Sequence, residues 1–231
     1  MAIRGIQKTS LVDFPGEVCT TLFFGGCNLR CPWCHNADLV LRPSALPEMA
    51  PEDILAFLER RKPFIQAVCL TGGEPTLTPG LRDFVRQLKS RGIRVKIDTN
   101  GTKPEVIAEL LENELLDYVA MDVKGPWEKY ELLAGAGVDP EAIKESLSLI
   151  KGGRVAYEFR TTVVPGLLTE QDFLILGYTL AGAKRYVLQQ FRPGISLIDE
   201  RYRELLPYSP ATLKRIAQRL EPFIDEVQIR S

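Results

Sequence analysis

The sequence is short of several features, and each shortage excludes a class of protein. It contains a single histidine, and its 29 lysines and arginines nearly balance its 30 aspartates and glutamates. It therefore offers no general attraction for nucleic acid or for an anionic membrane surface. It has no run of about 18 apolar residues, and "MAIRGIQKTS" at its start lacks the apolar stretch of a signal peptide. We expect a cytoplasmic protein with no membrane or nucleic-acid partner.

Cysteines are also few, and their number is odd: there are five, three of them in one short stretch. This is a poor disulfide framework and is more typical of a metal or redox site in a reducing compartment. The 231 residues, 45% of them apolar, suffice for one large α/β domain with a full core. Because no linker, low-complexity stretch or long repeat divides the chain, we predict a single domain over residues 1–231. Residues 1–17 form its N-terminal hairpin extension, and residues 192–231 form a C-terminal loop, helix and strand.

The pattern along the chain predicts alternating strands and helices. Runs rich in β-branched and aromatic residues predict strands at 18–25, 67–71, 94–98, 118–122, 155–164, 185–191 and 226–230. Helical patterns cover 51–61, 80–92, 104–115 and 139–153, several of them opening with proline and an acidic residue.

Such alternation favours the α/β class, with a parallel sheet covered by helices. Six strong repeats and a weaker final strand indicate an open, partial (β/α)6 barrel, although a doubly wound sheet fits the same pattern. Residues 5–20 predict an N-terminal β-hairpin that turns at Pro15 and Gly16. Residues 192–210 predict a mobile loop over the site.

The stretch "GGCNLRCPWCHN", residues 25–36, places three cysteines just past the first parallel strand with C-x3-C-x2-C spacing. A structural zinc site needs four ligands, but His35 points away from the adjacent Cys34 in most conformations and no distant C-x2-C pair exists. Cys19 and Cys69 lie inside predicted strands, where a small buried thiol is an ordinary core residue. An iron–sulfur cluster held by three thiolates leaves one iron open for a ligand.

Three further motifs follow later strands, and the carboxyl ends of parallel strands meet at one edge. "TGGEP" brings two glycines, which allow a close backbone approach, and a carboxylate suited to an ammonium group. "DTNG" and "MDVKG" follow the next two strands, although a turn with a helix cap and a simple ion pair also explain them. Arg160 follows the fifth strand and is either a ligand contact or a surface arginine. The candidates from these stretches are Gly72, Gly73, Glu74, Asp98, Thr99, Asn100, Asp122, Lys124 and Arg160.

The cysteine loop, with Trp33 just before its last cysteine, resembles that of radical S-adenosylmethionine enzymes. Other stretches extend the likeness over nearly the whole chain: "GIQKTSLVDFPG", "TGGEPTL", "DTNG", "YVAMDVKGP" and "QQFRP". Together they resemble the activating enzymes of glycyl-radical enzymes, especially those of anaerobic ribonucleoside-triphosphate reductase. The resemblance implies a [4Fe-4S] cluster held by Cys27, Cys31 and Cys34, whose fourth iron chelates S-adenosylmethionine.

The resemblance also implies a set of cosubstrate contacts, while the cluster and cosubstrate carry the radical chemistry and no side chain is assigned as catalytic. Glu74 and its glycines line the methionine amino group, and Lys124 faces the carboxylate or sulfonium. Asp98 and Asp122 share a monovalent cation. A related activating enzyme has a histidine after its sixth strand, so Gln190 or Arg192 serves there or the contact is absent. The implied contacts are Trp33, Cys34, His35, Gly72, Gly73, Glu74, Asp98, Thr99, Asn100, Asp122, Lys124 and Arg160.

The implied activity is reductive cleavage of S-adenosylmethionine, with an electron from flavodoxin or ferredoxin, and transfer of the radical to a glycine of a partner enzyme. The expected partner is anaerobic ribonucleotide reductase. An alternative partner is pyruvate formate-lyase or another glycyl-radical enzyme. An alternative activity is a small-molecule reaction like that of 7-carboxy-7-deazaguanine synthase. A further alternative is a non-catalytic iron–sulfur electron carrier, but that function would require a fourth cysteine ligand. The lack of extra cluster-binding cysteines excludes activating enzymes with an inserted ferredoxin-like domain.

Overall fold

The computed structural model describes residues 1–194 and 196–230 and contains one eight-stranded sheet whose strands neighbour one another in chain order. The first pair is antiparallel, and every later pair is parallel. The first and last strands are the free edges, so the sheet is an open, partial barrel, as predicted. The strands are β1 (Ile3–Ser10), β2 (Cys19–Phe24), β3 (Ala67–Gly72), β4 (Arg94–Thr99), β5 (Tyr118–Asp122), β6 (Ala156–Val163), β7 (Tyr186–Gln190) and β8 (Val227–Arg230).

Helices connect the parallel strands and pack against the outer face of the sheet. In α3, Leu81, Phe84, Val85 and Leu88 are buried at the helical spacing that produces one apolar stripe. The helices are α1 (Ala37–Leu41), α2 (Pro51–Arg61), α3 (Leu81–Ser90), α4 (Pro104–Glu112), α5 (Tyr130–Ala134), α6 (Pro140–Gly152), α7 (Glu170–Thr179) and α8 (Pro210–Leu220). None of the helices in the described ranges combines the length and apolar composition needed to cross a membrane.

The predicted N-terminal hairpin is confirmed. β1 pairs antiparallel with β2, and the Glu17 N–H donates to the Phe14 carbonyl at 3.1 Å, which closes a turn around Pro15 and Gly16. Phe14 reaches into the barrel and packs with Cys19, Cys69 and Tyr118 on the concave face. Both of these cysteines are fully buried, as expected of core residues.

The predicted elements match the observed ones closely, with a few differences. The helix predicted over 104–115 ends at Glu112, because Glu114 adopts a left-handed conformation with a φ of 53°. The predicted elements did not include α1, α5 or α7. Residues 192–194 and 196–209 are irregular apart from a short 3-10 turn at Glu200–Tyr202. Ile195, within the predicted loop, lies outside the described residues. The single-domain organisation stays a prediction.

Candidate active site

The three clustered cysteines border one cavity of about 620 Å³ at the carboxyl end of the barrel. Burial raises the pKa of all three thiols, and the Lys124 ammonium opposes the rise. The Cys27 sulfur also accepts the Leu29 N–H at 3.4 Å and lies 3.8 Å from the Asn100 amide nitrogen. Within the described ranges, no three His, Cys, Asp or Glu side chains are grouped as ligands of a single metal ion. Three thiols on one loop around one cavity fit the donor set of an iron–sulfur cluster.

The cysteine loop is held by its own backbone and by neighbouring elements. The Arg30 guanidinium donates to the Cys27 carbonyl at 2.6 Å and to the Leu29 carbonyl at 2.8 Å, which folds the loop on itself. The Arg30 N–H donates to the carbonyl of Ala134, the last residue of α5, at 2.7 Å. Contacts within the loop and with α5 therefore position the cysteines.

The diglycine after β3 lies directly against this loop. A Cβ at Gly73 would lie 1.9 Å from the Gly26 carbonyl oxygen, and Gly72 adopts a φ of 114° that side chains rarely tolerate. The Glu74 N–H donates to the same Gly26 carbonyl at 2.8 Å, and the Asn36 amide donates to the Gly72 carbonyl at 2.8 Å. The glycines are thus needed for the cysteine loop to pack on β3.

Glu74 is almost fully buried and ties the ends of β3 and β4 together. Its Oε1 accepts from the Thr76 and Thr99 hydroxyls at 2.6 and 2.8 Å, and its Oε2 accepts the Asn100 N–H at 2.6 Å. Burial raises the pKa of this carboxyl, and these hydrogen bonds oppose the rise. Among residues 1–194 and 196–230, Oε2 has one partner, and it retains capacity for a second donor, such as an ammonium group.

Arg160 lies between two aspartates on the concave face. Its Nε donates to Asp122 at 2.8 Å and its Nη1 to Asp98 at 3.1 Å. Lys124 donates to Asp122 at 3.1 Å, and Lys96 contacts Asp98. Burial opposes ionisation of both aspartates, but the neighbouring cations outweigh it and hold each pKa below its usual value. These groups form a continuous charged ladder across β4, β5 and β6.

The charged ladder includes both aspartates that were expected to bind a monovalent cation. A guanidinium already bridges Asp98 and Asp122, and each aspartate accepts from a lysine as well. The cation stays a prediction, since a cationic side chain lies between its two expected ligands. The simple ion pair considered for Asp122 and Lys124 does form, and Arg160 is buried rather than a surface arginine.

All the predicted contact residues border the cavity: Trp33, Cys34, His35, Gly72, Gly73, Glu74, Asp98, Thr99, Asn100, Asp122, Lys124 and Arg160. The His35 ring nitrogen Nε2 pairs with the Arg192 carbonyl at 2.8 Å, so it contacts the segment after β7. The structure adds residues that sequence reasoning missed: Val12, Asp13, Leu29, Asn36, Val40, Thr71, Lys96, Thr162, Gln189 and Arg230. The sequence contained a signal for Lys96. It lies two residues before Asp98, and because strand side chains alternate, the two point to the same face of the sheet.

Comparison with known proteins decides the family. The profile of the radical SAM superfamily matches residues 21–174. The chain belongs to this superfamily. A Methanocaldococcus jannaschii protein with the provisional name glycyl-radical enzyme activating enzyme is 36% identical over 99% of this chain and 95% of its own length. The Clostridium pasteurianum pyruvate formate-lyase-activating enzyme is 32% identical over 74% of this chain and 71% of its own length. This radical SAM chain is therefore an enzyme of the glycyl-radical activating family.

A solved structure supports the fold. The Streptococcus suis protein SuiB, crystallised with S-adenosylmethionine, superposes with a TM-score of 0.69 at 14% identity, over 91% of this chain and 52% of its own. At that identity the likeness shows the shared barrel alone, and this chain spans about half of SuiB. Radical SAM enzymes use a [4Fe-4S] cluster and S-adenosylmethionine, and these are the cofactors of this chain.

Proposed function

We propose that this enzyme generates a glycyl radical on anaerobic ribonucleoside-triphosphate reductase. The observation that carries the proposal is that three loop cysteines, the buried Glu74 and the Arg160 ladder all border one cavity. The glycyl-radical activating relatives and the sequence resemblance support the choice of partner class. Flavodoxin or ferredoxin is the proposed electron donor.

In this proposal the cysteine loop holds the cluster through Cys27, Cys31 and Cys34. When bound, the cluster and S-adenosylmethionine supply one-electron cleavage of the sulfonium carbon–sulfur bond and a primary alkyl radical that takes hydrogen from a glycine Cα. The chain itself orders the site and excludes water. Trp33 is only 4% exposed and borders the cavity, so it covers the site with an apolar ring.

Two polar parts of the cavity lining complement an amino acid that carries both charges. Glu74 presents Oε2 as an acceptor for the ammonium group. On the ladder, Lys96, Lys124 and Arg160 outnumber Asp98 and Asp122, which leaves one positive charge in excess for a carboxylate.

Further charged groups lie near the ladder but do not remove this excess. Glu158 lies 4.0 Å from Arg160, but Arg230 at 3.0 Å balances it. Asp13 and Arg192 also border the cavity, and their charges are opposite. The methionine part of the cosubstrate is thus oriented between opposite charges.

The test uses anaerobically reconstituted protein with dithionite and S-adenosylmethionine. We expect release of 5′-deoxyadenosine, and a glycyl-radical EPR doublet when anaerobic ribonucleotide reductase is added. A doublet with pyruvate formate-lyase alone would replace the proposed partner. Turnover of a small molecule without any protein radical would favour a synthase-like reaction. Full cluster content without 5′-deoxyadenosine would contradict the activity itself, and a Cys31→Ala protein is the negative control.

A further inference from the structure

Lys96 is a buried lysine in the middle of β4, and its ammonium group lies on the concave face of the barrel. Its side chain is only 2% exposed, and it pairs with the carboxylate of Asp98, two residues further along the same strand. Its Nζ also lies 3.6 Å from the sulfur of Cys69, its register partner on β3. A lysine is almost never buried this deeply unless its charge is paired, so Asp98 is the partner that keeps the ammonium group in this position.

Every carboxylate oxygen of Asp98 and Asp122 accepts a hydrogen bond from a cationic side chain. On Asp98, Oδ1 accepts from Lys96 and Oδ2 accepts from the Arg160 Nη1 at 3.1 Å. On Asp122, Oδ1 accepts from the Arg160 Nε at 2.8 Å and Oδ2 accepts from Lys124 at 3.1 Å. The guanidinium of Arg160 therefore bridges the two carboxylates, and a lysine binds each of them from the other side.

This arrangement does not fit the monovalent cation that the sequence resemblance implies between Asp98 and Asp122. A cation shared by both carboxylates must lie between them, and the guanidinium of Arg160 already bridges that place. The ladder also contains three positive side chains and two negative ones, so a further cation would add to an existing excess of positive charge. Like charges repel most strongly where water is excluded, as it is around these buried groups.

We propose that Lys96 and Arg160 take the place of a monovalent cation, so that this enzyme binds S-adenosylmethionine without sodium or potassium. Lys96 is a positioning residue in this arrangement, because it acts on the cosubstrate through Asp98 and through the charge of the ladder. The positive excess that orients the methionine carboxylate then comes entirely from side chains. This role rests on the proposed orientation of the cosubstrate, and it holds whichever glycyl-radical enzyme is the partner.

The first measurement is cosubstrate binding by the wild-type protein, which needs no turnover. Equilibrium dialysis of the anaerobic, cluster-loaded protein gives the Kd of S-adenosylmethionine in sodium, potassium or tetramethylammonium chloride at one ionic strength. Tetramethylammonium is too large and too poor a hydrogen-bonding partner to replace a small cation between carboxylates. We expect the three Kd values to agree within about threefold. Tighter binding in sodium or potassium by more than this factor would overturn the inference.

The second measurement uses Lys96→Ala, which removes the ammonium group and leaves space beside Asp98. In tetramethylammonium chloride we expect this variant to bind S-adenosylmethionine about tenfold more weakly than the wild-type protein, because the ladder loses its positive excess. We expect sodium or potassium to recover most of that affinity by filling the position of the ammonium group. Unchanged binding in tetramethylammonium chloride, or a loss that neither ion recovers, would overturn the inference.

Lys96→Met is the matched control, because it removes the same charge but fills the space with an apolar chain of similar length. We expect it to bind S-adenosylmethionine as weakly as Lys96→Ala in tetramethylammonium chloride and to gain nothing from sodium or potassium. Equal recovery in both variants would overturn the inference, since the ion would then bind elsewhere.

Thermal melting in each salt, without S-adenosylmethionine, shows whether the two variants fold. If neither variant retains the cluster, the comparison of the wild-type protein in the three salts still decides the inference. If the wild-type protein binds no S-adenosylmethionine in any salt, the proposed function fails and takes this inference with it.

Discussion

Arg160 and Asp122 lie opposite each other in neighbouring strands, and the arginine Nε donates to the aspartate at 2.8 Å. The same guanidinium reaches Asp98 one strand further, so a single side chain from β6 joins the ends of β4 and β5. Because Arg160 is only about a tenth exposed, it is both a candidate ligand contact and a structural element. Loss of the Arg160 side chain is therefore expected to affect both ligand binding and stability.

The first prediction concerns stability. Arg160→Met leaves two buried carboxylates with fewer cations, and loss of one partner of a buried ion pair costs about 3–5 kcal/mol. We expect urea denaturation to show a loss of this size. Arg215→Gln is the control, because its partner Glu170 lies at the surface, and we expect no measurable change. A similar small effect for both variants would contradict the role of Arg160.

The second prediction concerns pH. The pKa values of Asp98 and Asp122 are lowered in the folded state, because Arg160 and the lysines outweigh the effect of burial. Their contribution to stability is complete above the unfolded pKa of about 3.9 and is lost as pH falls through the folded values. We expect a smaller loss of unfolding free energy below pH of about 4 in Asp98→Asn than in the wild-type protein.

Comparison of the wild-type protein with Asp98→Asn separates the contribution of Asp98 to the pH dependence of stability from that of Glu74. The pKa of Glu74 is raised by burial, so its contribution has the opposite sign and declines as pH rises through the acidic range. Both proteins contain Glu74, and it cancels in the difference between them. Parallel pH curves for the two proteins, measured by denaturant titration at each pH, would show that Asp98 is not the titrating group.

The third prediction concerns the contact between the diglycine and the cysteine loop. In Gly73→Ala the new methyl group meets the Gly26 carbonyl oxygen, so the backbone must shift. We expect a loss of about 1–3 kcal/mol or more and weaker iron retention. In the control Gly152→Ala, the new methyl group enters open space, and we expect stability to hold or rise slightly. Iron content after desalting and thermal melting check both variants.

The fourth prediction separates ligand cysteines from core cysteines. Cys31→Ala removes one of three loop thiols and is expected to lose the iron and the visible absorbance of the cluster. Cys69→Ala is expected to keep both and to cost about 1 kcal/mol, because it removes a small buried thiol whose contacts with Lys96 and Asp98, at 3.6 and 3.9 Å, are long. Iron and sulfide analysis of the anaerobic proteins provides the measurement. Iron loss in Cys69→Ala at full stability would assign that cysteine to the cluster.

The fifth prediction concerns the contact of His35 with the segment after β7. His35 pairs with the Arg192 carbonyl, and the Asp199 N–H donates to the Pro32 carbonyl at 3.0 Å. In His35→Ala we expect faster hydrogen exchange at the Asp199 amide, with little change in global stability. Arg215→Ala, remote from this segment, is the control. Unchanged exchange in His35→Ala would show that the other contacts suffice.

Much of the site was predictable because its motifs are local. A strand followed by "TGGEP" or "DTNG" predicts where Glu74 and Asp98 lie, since parallel strands end at one edge. The partners of these residues were not predictable, because they come from distant elements. The hydrogen bond from Thr99 to Glu74 and the bridge from Arg160 to Asp98 depend on strand register and curvature.

Two other features also needed the structure. The end of α4 depends on Glu114, whose left-handed backbone has no glycine to signal it. The support of the cysteine loop by α5 is a tertiary contact between residues more than a hundred positions apart, at Arg30 and Ala134. Local propensity carries no information about either, since both are decided by packing.

The open barrel leaves two unpaired strand edges, and each is a poor template for a second molecule. β1 has two register irregularities along its pairing with β2, and β8 has only four residues and ends in Arg230. Irregular, short and charged edges discourage intermolecular β-sheet growth. The barrel therefore stays open on one side without offering an edge on which other molecules could add strands.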